Sequence, residues 1–195
     1  MGSFTAIADI GDTLVALLQS NMKDVIDSAN SIVLGLPDNE TPRISLFLYK
    51  VEENASLKNQ NMIPIDNESY RHPPLALDLH YILTVYSNTS ERIGTSEEHR
   101  ILGRAMQVMN DNMIIAGPVL QGGLKGSPDE FRITLNPMSM DEITKVWSTF
   151  PKLAYRTSVA YLVTPVLIES LRIDNEKRVL TGKFNFVQKG LNKTK

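Results

Sequence analysis

Asp78 and His80 stand two residues apart in a run that alternates apolar and polar side chains, a spacing that puts a carboxylate and an imidazole on one face of a strand. Such a pair can share a hydrogen bond or give two ligands to a metal ion. Two ligands make a poor site, since catalytic zinc centres take three protein ligands and structural ones four. His72 and His99, the other two histidines, are isolated in the sequence and expected at the surface. The 195 residues hold no cysteine, which excludes disulfides, thiolate metal sites and cysteine nucleophiles together. Gly117 and Gly122 have the spacing of a phosphate-binding loop, but Gly123 occupies the position where that loop needs lysine. No serine elbow of the G-x-S-x-G kind and no H-E-x-x-H helix occurs. A solvated or interfacial polar face is the expectation for Asp78 and His80, with no catalytic residue, no metal and no cofactor.

The remaining candidates are residues that bind partners. The chain carries 20 Lys and Arg against 22 Asp and Glu, a net charge of -2. Residues 177–195 hold six of those bases and no acid, so the tail is +6 and the rest of the chain -8. Segregation of this kind serves a partner, because like charges placed together repel unless something neutralises them. Lys183, Phe184, Phe186, Lys189 and Lys193 are the candidate partner-binding residues, with Phe184 and Phe186 as apolar anchors. A solvated terminal strand and a strand added to a neighbour's sheet are both open readings. Trp147 is expected in the core beneath its helix or, alternatively, as an interface anchor. The near-neutral charge balance argues against a nucleic-acid binder.

Elements must position these groups. Phe4, Ile7, Ala8, Gly11, Leu14, Val15, Leu18 and Met22 recur at three- and four-residue steps and predict a first helix, with Ser3 as its cap. Gly11 inside that stripe either permits a close approach or is simply tolerated. A strand apolar on both faces is predicted over 44–49. Residues 53–74 are polar, and Met62, Ile63 and Ile65 around Pro64 predict a short edge strand or hairpin tip. Residues 75–87 predict the longest strand, with Leu75, Leu77, Leu79, Tyr81, Leu83 and Val85 toward the main core. At about 3.3 Å per residue it would run roughly 40 Å, so it should bend at a bulge or project past its domain.

Thr95 and Glu98 read as a capping box that opens a second helix, and Ser139 and Glu142 as one that opens a third. Gly122, Gly123 and Gly126 predict a flexible loop, and residues 131–135 a short strand. A strand follows over 158–171, with Pro165 at a bulge or sheet edge, and a last one over 178–187. The sum is an α+β fold: a mixed, mostly antiparallel sheet flanked by about three helices. A single domain over 1–187 and a basic tail over 188–195 are expected. No apolar run approaches the roughly 18 residues of a membrane span. Asp9 and Asp12 interrupt the first apolar run, so no signal peptide is expected and the chain should be made in the cytoplasm.

Four motifs in order carry a resemblance. Pro73-Pro74-Leu75-Ala76-Leu77-Asp78-Leu79-His80-Tyr81 enters the long strand, and Glu98-His99-Arg100-Ile101-Leu102-Gly103-Arg104-Ala105-Met106-Gln107-Val108-Met109 forms the helix after it. Trp147 follows, then Tyr155-Arg156-Thr157-Ser158-Val159-Ala160-Tyr161. Over roughly residues 5 to 185 the chain resembles the cap, or tail-terminator, family of extracellular contractile injection systems. These are phage-tail-like particles of the antifeeding-prophage and Photorhabdus virulence cassette type. The resemblance implies a tail-terminator-like fold and a homohexameric ring on the baseplate-distal end. It implies contacts with the last layers of inner tube protein and sheath protein, which stop further assembly, and no enzymatic chemistry. It also implies a second cap protein as partner if the chain is an adaptor, and release with the particle outside the cell. A ring adaptor at a neck or tube-initiation position is the alternative, followed by an enzyme with an unrecognised site.

Overall fold

The strictly alternating run becomes an inner strand of a six-stranded sheet. The computed structural model describes residues 2–36, 43–66, 68–87, 91–150 and 152–175. Along the chain lie α1 (Ala6–Asn21), β1 (Ile32–Leu34), β2 (Ile44–Glu53), β3 (Ile63–Pro64), β4 (Ser69–Arg71), β5 (Leu75–Val85), α2 (Glu91–Asp111), β6 (Ile114–Ala116), β7 (Glu130–Leu135), α3 (Met140–Ser148), β8 (Ser158–Ile168) and β9 (Ile173–Asn175). The described residues form two units, one within Met1–Gln60 and Pro74–Glu169, the other within Asn61–Pro73 and Ser170–Lys195. The first holds the sheet in the order β1-β2-β5-β8-β7-β6. Only β1 with β2 is parallel; the other pairs are antiparallel. This is the expected α+β architecture, with three α-helices among the described residues.

On one face of β5, Leu77, Leu79, Tyr81, Leu83 and Val85 pack into the main core with Ile10, Leu14 and Leu18 of α1 and Ile101, Ala105 and Val108 of α2. Burying each leucine contributes about 1.5–3 kcal/mol. Leu75, expected in that core, is 46% exposed because it lies at the strand's end. On the other face Ile82 joins Ile143 and Trp147 in a second cluster, flanked by Phe47 and Tyr49 of β2. The apolar character of both faces of β2 is thereby used. The expected bulge is present: Leu77 opposes Val166 and Leu79 opposes Val163, so Asp78 alone faces Thr164 and Pro165. Pairing of β8 with β7 stops at Thr164, so Pro165 forfeits no ladder bond on that side.

Several expectations need correction. The buried stripe of α1 is Ala6, Asp9, Ile10, Gly11, Thr13, Leu14, Leu17 and Leu18, turned away from Phe4 and Ala8, which are exposed. The rotation comes from polar bonds to the 117–126 loop. Gly123 donates its N–H to Asp9 Oδ2 (3.1 Å) and Gln121 its N–H to Thr13 Oγ1 (3.0 Å). Thr5, not Ser3, precedes the first helical residue, and its hydroxyl donates to Asp9 (2.7 Å). That loop, expected flexible, is therefore pinned through two short 3-10 turns. Gly122 has φ +58, and a side chain there would meet the Asp9 carboxylate, so glycine is required. At Gly11 the Leu34 side chain occupies the space a Cβ would take, so the close approach is real.

The second helix begins at Glu91, four residues before Thr95. Glu98 is drawn instead to the Ser87 N–H (3.1 Å) and the Arg156 guanidinium (3.0 Å). The capping box at Ser139 and Glu142 forms as read from the sequence. The strand expected over 158–171 ends at Ile168, and β9 follows in the second unit. There β3, β4 and β9 form a three-stranded antiparallel sheet, with Pro64 on its outer strand as expected. His72 is not isolated: its Nε2 lies 2.8 Å from Asp174 Oδ2. The strand expected over 178–187 lies outside the described residues.

Candidate functional site

The bulge that accommodates Pro165 also separates the two sequence candidates. Asp78 accepts from the Asn54 amide (2.8 Å) and from the Thr164 hydroxyl. It thereby ties the end of β2 to the bulge of β8. His80 is buried, 8% exposed, and turns to other partners. Its Nε2 lies 2.8 Å from Glu52 Oε1 on β2, and its Nδ1 lies 3.3 Å from the Asn136 amide nitrogen just past β7. The Asn136 amide also donates to the Tyr49 hydroxyl (3.3 Å). An amide donor at Nδ1 leaves Nε2 to donate to Glu52. Both ring nitrogens are occupied. Asp78 and His80 do not bond each other, and among the described residues no group of three or more acidic or imidazole side chains is placed to hold a metal.

The His80 network floors an open cleft of about 470 Å³. Lys50 on its rim binds Glu52 (2.7 Å). The Lys50 hydrogen bond, with His80 second, holds the Glu52 carboxyl below its ordinary range. A carboxyl with a depressed folded value binds its proton more weakly folded than unfolded. Its contribution is present above the unfolded value of about 4.3 and is lost as pH falls below it toward the folded one. Glu52→Gln should therefore give a shallower loss of stability below about pH 4.3 than the parent chain, read by denaturant unfolding at stepped pH. An unchanged acid limb would show that Glu52 is no more constrained folded than unfolded.

The surfaces suited to assembly are the two outer strands of the six-stranded sheet. β1 carries Ile32, Val33 and Leu34, β6 carries Ile114, Ile115 and Ala116, and neither bears a charge. Natural sheet edges are usually guarded by lysine, proline or a bulge. Here each is flanked by exposed apolar side chains instead: Phe4, Leu34 and Leu36 at one end, and Met113, Ile114 and Leu135 at the other. Beside β1 an apolar cleft of about 380 Å³ opens between Phe4 and Ile7 of the α1 end and Leu34, Leu46 and Leu48 of the sheet. Beside β6 a cleft of about 300 Å³ is lined by Met106, Met109, Met113 and Leu135. Nothing in the sequence patterns singled out these edges, because strands of three residues leave no periodicity to read.

Trp147 is 6% exposed and stacks edge-on against Phe150 (6.0 Å between centroids) and Tyr155 (5.6 Å). Lys183, Phe184, Phe186, Lys189 and Lys193 lie outside the described residues. Among the described residues no helix is long and apolar enough to cross a membrane.

Residues 9–181 match a family model described as the Pvc16 N-terminal domain. No curated protein sequence matches the chain. Solved structures share its fold, two cryo-EM structures among them. One is the sheath/tube terminator of PVC, an extracellular contractile injection system, in the extended state. It matches with a TM-score of 0.67 and 17% identity, covering 100% of this chain and 67% of that one. The other is the tube-terminating cap of the anti-feeding prophage, with a TM-score of 0.55 and 14% identity, covering 87% of this chain and 60% of that one. This chain thus corresponds to about two thirds of each matched structure or less.

Proposed function

The chain belongs to the Pvc16 N-terminal domain family, and from that premise we propose that it is a cap or cap-adaptor subunit of a contractile injection particle. It forms a homohexameric ring on the baseplate-distal end, engages the last layers of tube and sheath, and ends their growth. The observation that carries this reading is the match of the whole chain to the fold of a sheath/tube terminator, together with the family match over 9–181. The uncharged, apolar outer strands at opposite ends of one sheet support it further. A ring needs two different surfaces on each subunit that meet head to tail and close. The role is structural and asks for no catalytic step, in keeping with a His80 whose two nitrogens are both engaged.

The basic segment 177–195 is the partner-binding element in this reading. Lys183, Lys189 and Lys193 face an acidic rim on the sheath, and Phe184 and Phe186 anchor the segment. A reconstruction of the particle end decides the main claim. Sixfold density for this chain, seated on tube and sheath, is the expected result; any other symmetry, or a position at the baseplate, overturns it.

A further inference from the structure

We propose that the outer edge of β1 and the apolar cleft beside it receive residues 178–187 of a second copy of this chain, added as a strand, so that each subunit holds the next. The proposal rests on the ring reading above and names the contact that closes the ring.

Three observations converge on this occupant. Among the described residues β1 is the outermost strand of its sheet, three residues long and free of charge; the Gln19 amide donates to the Ile32 carbonyl (3.2 Å), and the rest of that edge is where a further strand would pair. The cleft beside it lies on the α1 side of the sheet, with Phe4 86% exposed over it. A strand laid next to β1 places every second side chain into that space. In residues 178–187 one alternating face carries Arg178, Leu180, Phe184 and Phe186, with Gly182 between, and the other carries Val179, Lys183 and Val187. The first face supplies two aromatic rings and a leucine to the cleft. The second leaves Lys183 pointing away, on the same side as Lys189, where the sheath contact needs them.

Charge selects the same pairing. Residues 1–42 contain six acids and one base, whereas 177–195 contain six bases and no acid. Asp12 is exposed on α1 one turn beyond Ala8, which lines the cleft. The Tyr81 phenol, also in the lining, is pushed up chiefly by burial and further by the Asp12 carboxylate, so that charge stands at the cleft's rim. Arg178 is the cation on the inserted face that meets it. A second copy is the occupant because a head-to-tail strand transfer repeats around a closed ring without leaving an unfilled edge.

The chain has no cysteine, so engineered thiols report without background. Particles are assembled from a mixture of two single variants, Phe4→Cys and Phe184→Cys, and treated with a short thiol-to-thiol cross-linker. Covalent dimers of this chain are expected from the mixture and not from either variant alone. Asp12→Lys in the Phe4→Cys chain should cut the dimer yield several-fold, and Arg178→Glu in its partner should restore it. Phe4 is exposed, so its replacement leaves the core untouched. A cross-link within one chain of the double variant with none in the mixture overturns the proposal. A sixfold ring without dimers overturns the strand transfer and leaves the ring reading standing. Particle ends without a ring overturn both.

Discussion

Trp147→Ala should lower the unfolding free energy by about 3–5 kcal/mol, the usual cost of removing a buried aromatic. Trp147 sits with Ile82 and Ile143 in the smaller of the two clusters, and its ring meets Phe150 and Tyr155 edge to face. Phe47 extends the chain of contacts through Phe150, with centroids 5.4 Å apart. The indole joins α3 to the back of the sheet and to the segment that leads into β8. Its truncation leaves a hole that three surrounding rings must collapse into. Trp147→Phe separates packing from polarity. The indole N–H is buried without an acceptor among the described residues, and an unmet donor costs about 1–3 kcal/mol. Phenylalanine removes that penalty while keeping most of the ring, so this variant should lie within about 1.5 kcal/mol of the parent. Urea unfolding of both variants checks the pair. A Trp147→Ala chain that unfolds like the parent but fails to cap particles would make the residue an interface anchor instead.

The sequence revealed most where a side chain's neighbours repeat along the chain. Strand β5 was legible because eleven residues alternate without interruption. A bulge or sheet edge at Pro165 was legible because proline cannot join a regular ladder, but not that the bulge falls opposite Asp78. The Ser139 box formed because both its partners lie within one helical turn. The rotation of α1 was not legible. An apolar stripe drawn through Phe4 and Ala8 is as regular as the true one. What turns the helix is Asp9 and Thr13 binding backbone N–H groups more than a hundred residues away. Glu98 misled for a related reason. Its spacing from Thr95 fits a capping box, but Ser87 and Arg156 compete for the carboxylate in the folded chain. The Asp78–His80 pair had the right spacing for shared chemistry, and cross-strand partners divided it.

Assembly surfaces were the least legible of all. A three-residue strand such as β1 gives no pattern to read. The charge of residues 177–195 was visible at once, but not the surface it would meet. Local rules find elements, while contacts between distant segments decide which face each one shows. In the proposed role, function would reside in such contacts, for which a catalytic inventory is a poor guide.

Lys183→Glu combined with Lys189→Glu should abolish or severely slow capping and yield particles of uncontrolled length, with the fold preserved. The double reversal changes the segment 177–195 from +6 to +2, by four charges, and leaves every apolar anchor in place. In an extended segment both lysines would fall on the face opposite Phe184 and Phe186, so under the proposed arrangement their reversal would spare the face assigned to the neighbouring subunit and strike the one assigned to the sheath. Two attractive contacts become two repulsive ones, and like charges set against an acidic rim cost several kcal/mol. Length distributions from electron micrographs provide the readout, and an unchanged unfolding midpoint of the isolated variant shows that the fold is intact. Contacts of this kind weaken with ionic strength, since the Debye length shortens from about 10 Å at 0.1 M salt to about 3 Å at 1 M. The parent cap should accordingly leave its particles more readily as salt rises. Normal capping by the double reversal at physiological salt would remove the tail from the sheath contact and direct the search to the polar segment 53–74.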